Sequence, residues 1–219
     1  MESSLTLQSS FVILPLLLVA VAWWLCRSTR FLVGAVSFLL ASALLALSGV
    51  LSDFEALPPR LLLLLLPLTV IVSVSAFRTV GDRFMEMSWA WIVGFQAFRF
   101  PLELMIRQAV EEGVAPPQFT WTGLNWDILS GILSLLLLPF AARAPKWLLW
   151  AWNVIGLALL LNIVVVAIIS VPGPLQRIQP DNTWVAYFPF VWLPAICVMA
   201  ALMGHLVAFR KLRRADLRR

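Results

Sequence analysis

The chain has 219 residues, 62% of them hydrophobic and 12% charged, with a mean hydropathy of +0.94. A soluble domain is usually about half apolar and about a quarter charged, so this composition excludes the soluble globular class and indicates a single transmembrane domain. The formal charge of +5 does not mark a nucleic-acid binder, because six of the sixteen basic residues crowd into the final RKLRRADLRR. Residues 210–219 read as a basic cytoplasmic tail that attracts anionic lipid.

A bilayer core about 30 Å thick needs about 20 mainly apolar residues per crossing helix. Seven stretches qualify, predicting an all-α fold: a polytopic membrane bundle of seven transmembrane helices. The first, 11–26, ends in Trp23 and Trp24, an interfacial pair. It lacks a basic N-terminal region, since Arg27 and Arg30 follow the apolar run, and so reads as a retained helix with its N-terminus outside. The second, 31–51, places Ser37, Ala41 and Ser48 near one face, a small-residue pattern that lets helices approach closely. The third, 60–77, follows Pro58 and Pro59 and contains Pro67, Thr69, Ser73 and Ser75.

The fourth, 84–107, reads FMEMSWAWIVGFQAFRFPLELMIR and carries Gln96, Arg99, Pro101 and Glu103 in its second half. Charges inside such a run are costly and normally face a protein interior or a water-filled cavity. At 100° per residue Gln96, Glu103 and Arg107 share a stripe about 40° wide, with Arg99 about 60° to one side. Pro101 cannot donate to the carbonyl of Ala97, which predicts a kink beside Arg99. Arg99 and Glu103, or Glu103 and Arg107, could pair within the helix.

A long connection broken by Gly113, Pro116, Pro117 and Gly123 leads to the fifth helix, 127–142. Asp127 reads first as its N-cap, and Ser130, Gly131 and Ser134 lie close to the same face as Asp127. The sixth, 146–171, holds Asn153 and Asn162, which nine residues apart address different neighbours. The seventh, 184–209, contains Tyr187, Pro189, Pro194, Cys197 and the only histidine, His205, read as a helix-end residue favoured by the dipole there.

Basic residues fix the orientation. One side collects Arg27, Arg30, Arg78, Arg83, Arg143, Lys146 and the tail, the other only Arg60, Arg107 and Arg177. The positive-inside rule then puts the N-terminus outside and the C-terminus in the cytoplasm. In this frame Gln96, Arg99, Glu103, Asp127 and Tyr187 fall in the outer half, and an outward-facing polar pocket walled by Trp126 and Trp184 is expected. Two cysteines in apolar runs and one histidine imply neither a disulfide framework, a zinc site nor a haem. No HExxH, GxSxG, Walker or GxGxxG motif is present, so no cofactor and no catalytic residue is expected.

The segments FRFPLELMIRQAVEEG, FTWTGLNWDILSG, WNVIGLALLLNIVVVAIIS, YFPFVWLP and GHLVAFRKL together resemble a family of uncharacterised bacterial integral membrane proteins. The resemblance covers about residues 89–212 and implies a multi-pass protein of the bacterial inner membrane, with no activity attached. The span count and orientation are also similar to those of the sugar-permeating SWEET proteins, without their Pro-Gln signature in helices one and five. Three roles follow: a small-molecule transporter or ligand sensor centred on Arg99 and Glu103, an accessory or assembly subunit docking a partner membrane protein, and, last, an enzyme with a Glu103 or Asp127 base.

Overall fold

A computed structural model of the chain describes residues 3–216, and every regular element within them is helical. The α-helices are α1 (Leu5–Cys26), α2 (Thr29–Leu47), α3 (Arg60–Ala76), α4 (Thr79–Glu86), α5 (Trp89–Phe95), α6 (Arg99–Glu111), α7 (Ile128–Leu137), α8 (Lys146–Ile169) and α9 (Met199–Asp216). By length and composition four helices can cross a membrane: Leu5–Cys26, Thr29–Leu47, Lys146–Ile169 and the continuous Leu193–Arg214. A fifth results if α3 and Val80–Glu86, bent by 52°, form one span.

Several boundaries differ from those expected, each for a local reason. The 84–107 run is not one helix. Met87 is extended (φ −65°, ψ 151°), and Ser88 starts a new helix by accepting from the Trp91 N–H at 3.4 Å. The backbone then tightens into a 3-10 turn at Gln96–Phe98, just ahead of the missing N–H of Pro101. The 184–209 run is displaced instead. Residues 184–191 form only a 3-10 turn, a bend and a further turn, a π segment occupies Leu193–Val198, and the helix continues past Phe209 to Asp216. In α2 the packed face is Leu39, Ser42 and Ala46, while the expected Ser37, Ala41 and Ser48 are exposed, because Ser42 Oγ accepts the buried Trp192 indole N–H at 3.2 Å.

The buried side chains fall into two apolar clusters. One contains Leu7, Phe11, Leu102, Phe119, Leu160, Trp184 and Ala201; the other contains Val93, Leu137, Leu149, Trp152 and Val207. Along three helical stretches the polar residues sit between them: Gln96 and Arg99 between Val93 and Leu102, Asn153 between Trp152 and Leu160, and His205 between Ala201 and Val207. A polar layer therefore crosses an otherwise apolar bundle.

Candidate functional site

The layer is organised by Arg99, which is 1% exposed. Its Nε donates to Asp127 Oδ2 at 2.7 Å and Nη2 donates to Oδ1, so the guanidinium meets the carboxylate in the planar two-bond geometry that favours arginine. Nη1 donates to the carbonyl of Gly156 at 3.1 Å and to His205 Nε2 at 2.7 Å. A guanidinium has no acceptor, so Nε2 must accept, and the ring proton lies on Nδ1. That proton is donated to Asn153 Oδ1 at 2.9 Å. One guanidinium thus fixes the tautomer of the histidine and the orientation of the asparagine behind it.

On the other flank Glu103, 2% exposed, accepts from Asn125 Nδ2 at 2.8 Å. The same Nδ2 donates to the carbonyl of Phe119 at 2.9 Å, and Asn125 Oδ1 accepts the Asp127 backbone N–H at 3.0 Å. Asn125 therefore ties the two carboxylate-bearing elements together. It can do so because the connection after α6 turns back at Gly113 (φ 71°) and folds inward, burying Val114, Ala115, Phe119 and Thr120. Trp184 closes this end, edge-on to Phe11 and Phe119.

Glycine makes the close approach possible. A Cβ on Gly131 would lie 2.4 Å from the Phe100 backbone nitrogen, and one on Gly156 would lie 2.5 Å from His205 Cε1. These positions let α7 reach α6 and α8 reach the imidazole, so the layer is packed by direct contact. Ser130 Oγ donates to Asp127 Oδ1 at 3.4 Å, and the Trp152 indole N–H donates to Ser134 Oγ at 3.0 Å. Asp127, Ser130, Gly131 and Ser134 do share one buried face. Two buried atoms in the layer, Gln96 Oε1 and Asn153 Nδ2, find no hydrogen-bond partner among the described residues.

Of the residues singled out from sequence, Arg99, Glu103 and Asp127 converge, and Gln96 joins the layer by donating to the Ala201 carbonyl at 2.9 Å. Trp184 lies behind Phe119, whereas Trp126 and Tyr187 are exposed and stand apart. The pairing within one helix is corrected: the Arg99 side chain bonds neither Glu103 nor any other side chain of α6, and Arg107 pairs with Glu111 at 2.7 Å on the surface. The N-cap role of Asp127 is also corrected, since its carboxylate makes no cap bond and serves Arg99 instead. His205 is not at a helix end. The displacement of the last helix brings it to mid-helix, 1% exposed, against Arg99. Asn162 does address a different neighbour from Asn153, donating to the Leu124 carbonyl at 2.7 Å.

Asn125 is not singled out by the sequence, and Asn153 and His205 are singled out there without being placed beside Arg99. Asn125 lies in a connection with no periodicity to read, and the depth of His205 depended on where its helix began. Among the described residues no group of three His, Cys, Asp or Glu side chains is arranged to hold a metal ion.

Comparison with known proteins places the chain in a family. The model of a family described as "Domain of unknown function (DUF8737)" matches residues 56–213, well over half of the chain, and the chain belongs to that family. No curated protein and no solved structure matches it.

Proposed function

We propose that this DUF8737 member is a multi-pass transporter or sensor for a small solute carrying positive charge. Arg99, Asp127 and Glu103 form its recognition core, and the inward-folded connection after α6 covers that core. One observation supports the reading above others: Asp127 takes the guanidinium of the layer, and the second buried carboxylate, Glu103, has no cation within ion-pair distance among the described residues. Burying an unmatched carboxylate is costly unless a proton or a cationic partner neutralises it, and ionisable groups inside a bundle are functional candidates for that reason.

The irregular backbone around the layer supports mobility there. A 3-10 turn precedes Arg99 and a π segment precedes α9, and such interruptions recur at hinges and functional sites. The seven-pass arrangement, with the N-terminus outside and the C-terminus in the cytoplasm of a bacterial inner membrane, remains our reading. Its spans are α1, α2, α3, α5 with α6, α7, α8 and α9. The 23 residues of α5 through α6 measure about 34 Å, enough to cross, but α7 with its terminal 3-10 turn measures only about 20 Å. The folded connection would complete that short span, a use of irregular backbone that bilayers tolerate when protein encloses it.

The test is a thermal-shift series on purified protein in mild detergent, using small organic amines and alkali cations at constant ionic strength. At least one compound raises the melting temperature of the wild type and fails to do so for Glu103→Gln, which keeps the bond from Asn125. If none does, and a second membrane protein copurifies in equal amount, the chain is an accessory subunit and the transporter reading fails.

A further inference from the structure

Two clefts open sideways between α1 and the rest of the bundle. The larger, about 550 Å³, is lined entirely by uncharged residues, among them Leu17, Trp91 and Leu138. The smaller, about 450 Å³, lies between α1 and α2 on one side and α3 and α9 on the other. Among the described residues its lining is apolar except at one end, where Arg30 is the only charged residue and Ser75 the only hydroxyl. Arg30 is exposed and makes no hydrogen bond or ion pair among the described residues. It also sits in the first turn of α2, where the Ser28 hydroxyl caps the Phe31 N–H and the helix dipole favours an anion.

We propose that this cleft is a binding site for an anionic glycerophospholipid, with an acyl chain between α2 and α3 and the phosphate on Arg30 and the first turn of α2. The shape and the charge agree on this occupant. The outer faces of α2 and α3 beside the cleft expose Val33, Leu40, Val70 and Ile71, surfaces that only hydrocarbon covers without cost. An exposed guanidinium at one end of an apolar crevice matches a chain with a negatively charged head. The larger cleft has the apolar lining without the charge, and so has no means of selecting one headgroup over another. This site is separate from the Arg99 layer and does not rest on the transporter reading.

The experiment is native mass spectrometry of the full chain, with phosphatidylglycerol and phosphatidylcholine of identical acyl composition. The wild type retains phosphatidylglycerol in preference to phosphatidylcholine. Arg30→Gln leaves the melting temperature unchanged, because the Arg30 side chain has no partner among the described residues, and weakens phosphatidylglycerol retention roughly fivefold. Gly34→Phe puts a ring into the cleft from a position where a Cβ meets nothing within 4 Å, and weakens retention of both lipids. Equal retention of the two lipids by the wild type, or wild-type retention by both variants, would overturn the proposal.

Discussion

Arg99 can occupy the interior of an apolar bundle because four of its five N–H donors are directed at acceptors: two at Asp127, one at Gly156 and one at His205. The last contact is the most informative chemically, because it dictates where the histidine proton sits. His205 is the only histidine in the chain, so protein labelled with ¹⁵N-histidine gives a single imidazole spin system. It will report the Nδ1–H tautomer; a predominant Nε2–H form would mean that Arg99 does not donate to the ring. How much of this was legible in the sequence can be judged residue by residue. Arg99 and Glu103 announced themselves by their cost in an apolar run, and Asp127 by its shared face with Ser130 and Ser134. Their partners did not, because Arg99 reaches 28 residues along the chain to Asp127 and 106 to His205, distances that no local periodicity records.

At the scale of elements, helix ends decided which expectations held. The apolar runs of α1 and α8 were readable because their hydropathy is sustained. The last helix was misplaced because Trp184–Val191 is as apolar as a span yet folds as a 3-10 turn, a bend and a further turn, with Pro189 and Pro194 near its break. The start of α1 shows what sequence could not supply. Ser4 caps the helix by accepting from the Leu7 N–H at 3.1 Å, and its own backbone N–H is satisfied by Glu112 at 2.8 Å. This repeats the logic of a capping box with a carboxylate from a distant helix. Bonds from the Ser4 hydroxyl, then the Ser4 N–H, then Gln108 hold the Glu112 carboxyl below its ordinary value of 4.5. A depressed carboxyl contributes stability that is present above its unfolded pKa and lost as pH falls through the lower folded value. Hydrogen exchange in the first turn of α1 will therefore accelerate as pH drops below about 4.5, beyond the intrinsic change. In Glu112→Gln that acid-induced opening will be absent.

The whole molecule is a membrane chain whose described residues form only helices, and in it one polar layer separates two apolar clusters. The membrane class was legible because composition sets it, and the alignment of polar positions across α6, α8 and α9 was not, because it depends on how helices are offset along the bundle. A buried ion pair of this kind adds little net stability compared with apolar residues of similar size, yet breaking it from one side costs about 3–5 kcal/mol, since the surviving charge is left unpaired. The decisive measurement is a double-mutant cycle on Arg99→Met and Asp127→Leu, read as unfolding free energies in detergent. Strong coupling is expected, on the order of 2 kcal/mol or more, with the double variant more stable than the sum of the single losses allows. Effects that add to within about 0.5 kcal/mol would contradict the account, because they would mean that Arg99 and Asp127 do not meet inside the bundle.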